Sequence, residues 1–350
     1  MTSESKIYFS AIGLDHGHIY GQTNLLLRAG AEFISFYSDK PGLSEPFSRT
    51  YPQAKLACCP QEILEDDRIH LVICAGINNE RAPLGISVMQ HGKDFMSDKP
   101  GFTSLDQLAE ARRVQAQTGH IYSICYSERF ENPATVKAGE LVKAGAIGQV
   151  VQTLGLGPHR ANPTDRPAWF FRKSQYGGIL ADIGSHQVDQ FLYFTGSTSG
   201  EIVASQVGNF KFPQYSELED FGDVTLRSDR AAGYFRVDWY TPAGLDTWGD
   251  GRLFILGTEG YIEVRKNNDL CGKTGANHLF LTDAHGMHYL DCSQGDLPYG
   301  RQMIQDIRNR TETAMPQAHC FLASELAIRA EMQAVHIDKG LNASVTSLSR

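Results

Sequence analysis

The sequence predicts an α/β domain followed by an α+β domain. A Rossmann-type domain with a parallel sheet is expected over residues 1–126, and a domain with a large, mostly antiparallel β-sheet flanked by helices over residues 127–350. The chain has 350 residues, and at roughly 100–200 residues per domain this length favours two domains. Strand and helix patterns alternate in the first part, whereas long strand-like runs separated by turns dominate after about residue 130.

The first domain begins with the strand-like run KIYFSAIG and a helix pattern from His18 to Arg28, which Gly30 closes. Further strands are indicated by EFISFY, IHLVICA, KDFMS and IYSICYS. IHLVICA is almost continuously apolar, as expected of a strand buried on both faces. Ser104 and Gln107 form a capping-box pattern that opens another helix. These elements predict a parallel sheet with helices on both faces.

The second domain contains helix patterns over about residues 130–145 and from Ile179 to Phe194. Strands are indicated by EIVASQVGNF, GDVTLRS, AAGYFRVDWY, RLFILGTEGYIEVRK and HLFLTD. Two more helix patterns follow, at about residues 300–310 and 321–338. This order predicts an antiparallel sheet with helices packed against it.

Composition indicates a globular, cytoplasmic protein. The formal net charge of -8 argues against nucleic acid or an anionic membrane surface as a partner. No apolar run is long enough to cross a bilayer, and the first residues do not read as a signal peptide. The seven cysteines include no C-x-x-C pair, which favours reduced thiols over disulfides or a zinc site.

The run IGLDHGHIYG follows the first strand, where a dinucleotide-binding fold holds pyrophosphate. The usual fingerprint is G-x-G-x-x-G, but after Gly13 the second and third glycines are replaced by Asp15 and His18. The run is therefore either a nucleotide site with altered chemistry or an ordinary turn. No metal is predicted, because the sequence fixes no obvious third ligand to join His16 and His18.

The segment SDKPG places Lys99 after a predicted strand, at the carboxyl end of the sheet. Ligands of open α/β sheets bind in the crevice at that end. Because Lys99 precedes a proline, its backbone is kept out of the helical region, and its side chain can project from the strand end. The alternative is a solvated loop lysine.

The run GGILADIGSHQVDQ predicts a helix on which Asp182, His186 and Asp189 share one face. The other faces of this helix are apolar. The polar side chains therefore form either a solvated stripe or part of a wet cleft. Histidine is the side chain best suited to exchange protons near neutral pH.

Taken in order, these motifs resemble the Gfo/Idh/MocA oxidoreductase family, which includes glucose–fructose oxidoreductase and inositol dehydrogenase. They are the strand–Gly turn, S-D-K-P, and G-G-x-x-x-D-x-G-x-H-x-x-D after the domain change. The run ILGTEGYIEVR also looks like the family's G-T-x-G turn in the large sheet. The resemblance covers nearly the whole chain.

The resemblance implies an NAD(P)-dependent oxidoreductase acting on a CH–OH group of a sugar, polyol or related small molecule. Lys99 would polarise the reacting oxygen, and His186 would act as the acid/base. Asp182 would orient substrate hydroxyls or tune the histidine. These roles are chemically coherent, because hydride removal from an alcohol requires a base for its proton and a cation near the developing alkoxide.

The resemblance also implies a set of cofactor contacts. Ser38 and Asp39, at the end of the second strand, would bind the adenosine ribose; a carboxylate there favours NAD, although nearby Lys40 keeps NADP open. Asp15 either turns away from the pyrophosphate or pairs with a neighbouring histidine. The segment from His16 to His18 would present backbone N–H groups, and imidazoles, to the pyrophosphate or the substrate. The full set of predicted cofactor contacts is Gly13, Asp15, His16, Gly17, His18, Ser38, Asp39, Ile77, Asn78, Asp98 and Lys99.

Asp98 is the acid of this chain's S-D-K-P, where the family has the longer glutamate of E-K-P. Substrate contacts are expected from the segments YSERF and RPAWFFRKSQYGG. The predicted substrate-binding residues are Lys99, Tyr126, Arg129, Trp169, Arg172, Asp182 and His186.

Two other functions remain open. The cofactor could stay tightly bound and serve a glycosidase- or eliminase-type reaction through a keto intermediate. The chain could instead be a non-catalytic, ligand-binding homologue that lost cofactor affinity through Asp15 and His18. A homodimer or homotetramer is expected, because the family commonly associates through the large sheet.

Overall fold

The computed structural model describes residues 6–338, which form two compact units. The first unit contains the residues up to Phe130 together with Leu297–Ser324. The second contains Glu131–Asp296 together with the described residues from Glu325 onward. The sequence-based division at residues 126/127 does not include a late segment that packs with the first unit.

The first unit is built on a six-stranded sheet in which every neighbouring pair is parallel. Its strands are β1 (Tyr8–Ile12), β2 (Glu32–Tyr37), β3 (Lys55–Leu56), β4 (Leu71–Cys74), β5 (Asp94–Asp98) and β6 (Tyr122–Cys125). The spatial order is β3-β2-β1-β4-β5-β6. From β1, successive strands are added first on one side (β2, β3) and then on the other (β4, β5, β6), so the strand order switches between β1 and β4. Open α/β sheets bind ligands in the crevice at such a switch point.

Helices connect these strands, as the alternating pattern predicts. They are α1 (His18–Arg28), α2 (Pro41–Thr50), α3 (Pro60–Leu64), α4 (Asn78–Gln90), α5 (Leu105–Thr118) and α6 (Ser127–Phe130). The predicted capping of α5 is confirmed, because the Gln107 amide donates to Ser104 Oγ over 3.2 Å. The Rossmann-type architecture is therefore confirmed.

The late segment of the first unit covers the edge strand β6. It contains α11 (Tyr299–Asn309) and the beginning of α12 (Gln317–Gln333). The Tyr122 amide donates to Gln317 Oε1 over 2.8 Å, and the Ser123 hydroxyl lies 2.8 Å from that of Tyr299. An edge strand carries backbone groups without a strand partner, and here the Gln317 side chain accepts from one of them, while Tyr299 contacts a side chain of the strand.

The second unit contains a nine-stranded sheet that is mostly antiparallel, as predicted. Its strands are β7 (Val150–Pro158), β8 (Glu201–Gly208), β9 (Phe221–Arg227), β10 (Ala232–Asp238), β11 (Arg252–Gly257), β12 (Tyr261–Arg265), β13 (His278–Asp283), β14 (Gly286–Asp291) and β15 (Val335–His336). Their order is β14-β13-β12-β11-β7-β10-β9-β8-β15, with parallel pairs only at β10/β7 and β15/β8 within the described residues.

Helices pack on one face of this sheet. They are α7 (Pro133–Lys143), α8 (Lys173–Tyr176), α9 (Ile179–Asp182) and α10 (Gly184–Thr195). The helix α10 crosses β7 at close range, because a Cβ atom on Gly155 would lie 2.2 Å from Gln187 Oε1. The glycines of β7 permit this approach, and they also explain why the sequence analysis did not detect the strand.

No helix within residues 6–338 combines the length and the apolar character that a membrane crossing requires.

Candidate active site

Gly13 forms a tight turn where the first sheet reverses. Its φ is +83°, and a Cβ atom there would lie 2.9 Å from the Cα of Gly76. Gly13 follows β1 and Gly76 follows the neighbouring β4, so the two loops touch at the carboxyl edge of the sheet. Gly17 is different, because a Cβ atom there would meet no atom within 4 Å. Only the first of these glycines is required by the backbone.

Several backbone amides that follow Gly13 already donate hydrogen bonds to acceptors of the protein. The His16 amide donates to the Ala75 carbonyl over 2.8 Å, and the Ile19 amide donates to the His16 carbonyl over 3.2 Å. The His18 amide points at His16 Nδ1, 3.3 Å away. This differs from the expectation that residues 16–18 present their N–H groups to a pyrophosphate, because two of the three amides already have acceptors.

Asp15 pairs with Lys40 and with neither histidine. Lys40 Nζ lies 2.5 Å from Asp15 Oδ1. This hydrogen bond raises the pKa of Lys40, against a smaller opposing effect of burial. Ser38 accepts a hydrogen bond from the Lys40 amide over 3.3 Å, and Asp39 is exposed beside it. The cation that could accommodate the extra phosphate of NADP is therefore bound to the loop carboxylate.

Asp98 is the centre of a buried polar cluster at the end of β5. Its Oδ1 lies 2.9 Å from His18 Nδ1 and accepts the Lys99 amide over 2.8 Å. Its Oδ2 lies 3.3 Å from His16 Nδ1. The two imidazole rings meet edge to face, with centroids 4.2 Å apart. Both histidines of the loop, of which His18 stands where the third glycine is usual, thus converge on the acid of S-D-K-P.

Charges within this cluster oppose the effect of burial. Burial favours a protonated Asp98, but the charges of His18 and Arg81 outweigh it and hold the pKa of Asp98 well below its usual range. Burial lowers the pKa of His16 to about 4, and the nearby charges of His18 and Lys99 act in the same direction. Near neutral pH, Asp98 is therefore an anion and His16 a neutral imidazole.

Arg81 is a site residue that the sequence analysis missed. Its side chain is 1% exposed, and its Nε donates to the Gly76 carbonyl over 2.8 Å. Its Nη1 donates to the carbonyls of Lys99 and, over 3.2 Å, Pro100. Its Nη2 lies 3.4 Å from Asp98 Oδ2. Arg81 thus joins the loops after β4 and β5. In the sequence, only its positive charge within the run AGINNERAP (residues 75–83) hinted at a role in the site.

Five other predicted contacts in the first unit are buried. Lys99 directly follows β5 and is 5% exposed, which excludes the solvated loop lysine. Asn78 begins α4 and is 2% exposed, with Ile77 immediately before it. Arg129 lies over the ring of Phe130, 4.0 Å from its centroid. The Tyr126 hydroxyl, also buried, lies 3.5 Å from Ser324 Oγ.

In the second unit, the predicted helix is divided into α9 and α10 at Ile183. Asp182 ends α9, and His186 and Asp189 lie in the first two turns of α10. All three side chains are buried, so the alternative of a solvated stripe is wrong. The Gln190 amide group donates to the His186 carbonyl over 2.9 Å and accepts from Lys266 Nζ over 2.7 Å. Gln190 therefore connects the backbone of His186 to the Lys266 side chain.

A cluster of charged side chains fixes the start of α9. Lys173 Nζ contacts Glu219 and lies 2.6 Å from Glu331 Oε1. The two carboxylates accept the amides of Ile179 and Leu180, each over 3.0 Å. Burial and the charge of Glu219 raise the pKa of Glu331 to about 8. Lys173 lies in the segment RPAWFFRKSQYGG, from which substrate contacts are expected, but here it has a structural role.

Aromatic side chains surround a second arginine that the sequence analysis missed. The Arg166 guanidinium lies 4.4 Å from the ring centroid of Phe170 and 4.9 Å from that of Trp248. Burial lowers the pKa of Arg166, while the negative charge of Asp182 partly restores it. Trp169 is buried beside Phe170, and Arg172 is exposed ahead of α8.

The structure brings the predicted residues together in two groups, one in each unit. The first group lies at the carboxyl edge of the parallel sheet: Gly13, Asp15, His16, Gly17, His18, Ile77, Asn78, Asp98 and Lys99. The second contains Asp182 and His186, on either side of the break between α9 and α10, whereas Trp169 is buried beside Phe170. The first group thus combines a buried lysine with two imidazoles and a buried carboxylate, and the second carries a buried histidine.

Residues 135–263 match a family model described as the GFO/IDH/MocA C-terminal domain. Among characterised proteins, the levoglucosan dehydrogenase of Pseudarthrobacter phenanthrenivorans is 28% identical over 142 residues, which cover 40% of this chain. The scyllo-inositol 2-dehydrogenase (NADP(+)) IolW of Bacillus subtilis is 26% identical over 157 residues, which cover 44% of this chain. The alignments span only 36% and 42% of the lengths of these two relatives.

Among solved structures, one from Erwinia carotovora atroseptica, provisionally described as an oxidoreductase, is 44% identical to this chain. The match covers 95% of this chain and 100% of that one, with a TM-score of 0.92. A levoglucosan dehydrogenase in complex with NADH and levoglucosan is 16% identical, with a TM-score of 0.81. That match covers 94% of this chain and 97% of the other, and it shows a shared fold.

Proposed function

The chain belongs to the Gfo/Idh/MocA family, and we propose that it is an NAD(P)-dependent dehydrogenase acting on a CH–OH group of a sugar or polyol. One observation carries this proposal. A buried lysine, Lys99, directly follows the fifth strand of the parallel sheet, in the group of side chains gathered around the Gly13 turn. This is the edge of the sheet where such folds bind their ligands.

The residues of this edge fit a dinucleotide. Gly13 supplies the tight turn, and the surface beside Gly17 is open, with no atom within 4 Å of its Cβ position. We assign Ser38 and Asp39 to the adenosine ribose, and Ile77 and Asn78 to the surface beneath the nicotinamide half. When bound, the cofactor supplies the nicotinamide ring that accepts or donates a hydride.

His186 is the proposed acid/base, and Lys99 the proposed electrophile. His186 is buried in the first turn of α10. The short helix α9 precedes it, and its start is held by Lys173, Glu219 and Glu331, which would preorganise the imidazole. It would take the hydroxyl proton as the alcohol is oxidised and return it in the reverse direction. The ammonium of Lys99 would stabilise negative charge on the same oxygen. Asp182 would orient substrate hydroxyls.

Several features support a sugar or polyol as substrate. The two characterised relatives act, by their names, on levoglucosan and scyllo-inositol. In the second unit, Arg166 lies among aromatic rings, and the negative charge of Asp182 acts on it. Aromatic faces with a few fixed polar groups suit hydroxylated rings. We place Trp169 and Arg172 from this unit, and Tyr126 and Arg129 from the first, at the substrate.

The outer face of the large sheet supports a homodimer or homotetramer. Successive residues of β11 alternate between buried and exposed, and Phe254 and Leu256 are exposed. Leu256 pairs with Tyr261 on β12, which is also exposed. Contiguous apolar surface of this kind is typical of interfaces. We also place the protein in the cytoplasm, where its seven thiols would remain reduced.

A substrate screen tests the proposal. The purified protein is incubated with NAD+ or NADP+ and a panel of sugars and polyols, and the reduced nicotinamide is measured by absorbance. At least one compound should give continuous reduction. A glycoside consumed without net reduction would instead indicate the glycosidase- or eliminase-type reaction. Failure to bind any nicotinamide cofactor would contradict the dehydrogenase and favour a ligand-binding homologue.

A further inference from the structure

His16, His18 and Asp98 have the donor set of a transition-metal site. Two histidines of the glycine loop and the shortened acid before Lys99 form one cluster. One ligand atom from each of the three residues lies within 4.8 Å of the others. Within residues 6–338, no other group of three His, Cys, Asp or Glu side chains meets this condition. The sequence alone could not supply Asp98 as the third ligand, because it lies 80 residues beyond His18.

The separations between the donor atoms fit a coordination sphere. Ligands about 2.1 Å from a metal lie about 3.0 Å apart at a right angle and about 3.4 Å apart at a tetrahedral angle. The carboxylate oxygens of Asp98 lie 2.9 Å from His18 Nδ1 and 3.3 Å from His16 Nδ1. Small adjustments would let one cation contact all three side chains.

One of these contacts lacks a hydrogen. His16 Nδ1 accepts the His18 amide over 3.3 Å, so it carries no proton toward Asp98, and a bound metal ion would replace this hydrogen bond. Asp98 Oδ2, which faces the same nitrogen, is buried and accepts no hydrogen bond in the described structure. Two electron-rich atoms facing each other at 3.3 Å call for a positive charge between them.

Arg81 does not fill this role. Its guanidinium lies 3.4 Å from Asp98 Oδ2, but its hydrogen bonds go to the carbonyls of Gly76, Lys99 and Pro100. Its fixed charge, like that of Lys99, opposes a second cation nearby. We therefore expect weaker binding than at a closed zinc site with four protein ligands.

We propose that His16, His18 and Asp98 bind one first-row divalent metal ion, with Zn²⁺ as the representative of its class. Two imidazoles and one carboxylate leave coordination positions open, as in sites where a metal also contacts an exogenous oxygen. The loop in which other nucleotide-binding folds carry glycine would here carry metal ligands. This proposal does not depend on the dehydrogenase assignment.

Metal titration tests the site directly. The full-length chain is stripped with a chelator and titrated with Zn²⁺ by calorimetry, without nicotinamide or substrate; Co²⁺ absorbance is followed in parallel. One equivalent should bind. Loss of outer-shell partners alone lowers metal affinity about 10–100-fold, so His16→Gln and His18→Gln should each weaken binding at least about tenfold.

The control variant is His91→Gln, because His91 is exposed and only its Ser87 carbonyl contact is lost. The side chain of His18 is 40% exposed, so its variant should fold, which thermal unfolding can verify.

Absence of saturable Zn²⁺ and Co²⁺ binding would overturn the proposal. Equal affinity in wild type and both cluster variants would do the same.

Discussion

Gly13 and Gly17 are both glycines of the nucleotide loop, but the backbone requires only the first. Gly13 has a left-handed backbone and no room for a Cβ atom against Gly76, whereas Gly17 has φ −59° and open space. Sequence comparison with the glycine fingerprint identified Gly13 correctly as the turn residue. The fingerprint could not show that the backbone amides of His16 and His18 already donate hydrogen bonds, to the Ala75 carbonyl and to His16 Nδ1.

Alanine substitutions at these two positions should differ in their effect on stability. Gly13→Ala should lower the free energy of unfolding by more than about 1–2 kcal/mol, the cost of left-handed backbone alone, because a backbone clash adds to it. Gly17→Ala should cost less than about 1 kcal/mol, as the residue only precedes a helix. Chemical denaturation of both variants measures the difference. Equal losses would show that the turn geometry is wrong.

Asp15 forms an ion pair with Lys40, just after β2. Asp15→Asn should release Lys40 to contact the extra phosphate of NADP, and the NADPH affinity should rise several-fold to about tenfold relative to NADH. Fluorescence titration with both reduced cofactors measures this ratio. In the double variant with Lys40→Gln, the ratio should return to the wild-type value. An unchanged ratio in Asp15→Asn would remove Lys40 from cofactor selection.

At the scale of elements, α9, the short helix directly before the one that carries His186, depends on distant side chains. Lys173, Glu219 and Glu331 lie on different segments and converge on the start of α9. Gly178 makes room for them, because a Cβ atom there would lie 2.1 Å from the Glu331 carboxyl carbon. The sequence predicted the helix and its polar face, but it could not predict this cluster, whose members are separated by up to 158 residues.

Glu331 gives this cluster a pH dependence. Its pKa is raised from 4.5 to about 8 in the folded chain, so the folded state binds more protons than the unfolded state between these values. Its contribution to stability is therefore fully present below about pH 4.5 and is lost as the pH rises through about 8. Tyr176 and His336 lie near Glu219, but Lys173 and Glu219 are the charges that act on Glu331 directly.

Glu331→Gln should flatten the pH dependence of stability, since glutamine imitates the protonated acid. Between pH 6 and pH 9, the melting temperature of the wild type should fall more than that of the variant, which should be the more stable of the two at the upper end. Thermal unfolding across this range, in buffers of equal ionic strength, provides the measurement. Parallel curves would mean that Glu331 is ionised throughout.

At the scale of the whole molecule, the order of motifs predicted the architecture well. The alternation of strands and helices, followed by strands alone, reproduced the parallel and mixed sheets. Local patterns of this kind depend on neighbouring residues, which sequence shows. The strand β7 was missed because its glycines have low strand propensity, and their value appears only when α10 packs on them.

The candidate site was less predictable than the fold. Short sequence motifs led to the prediction of Lys99, Asp182 and His186 as site residues. Arg81 and Arg166 were not predicted, since their partners are carbonyls and aromatic rings that sequence spacing does not reveal. The same holds for the contact of both histidines with Asp98, which arises because the loops after β1 and β5 end at one edge of the sheet.

The most direct test of the central claim compares hydride transfer in wild type and His186→Asn. With a substrate from the screen and saturating cofactor, the wild type should form reduced nicotinamide in a multiple-turnover reaction. The variant should bind the cofactor with unchanged affinity but turn over about 10²–10⁴-fold more slowly, the usual cost of a lost acid/base. Undiminished turnover in the variant, or no reduction by the wild type with any sugar or polyol, would contradict the proposed function.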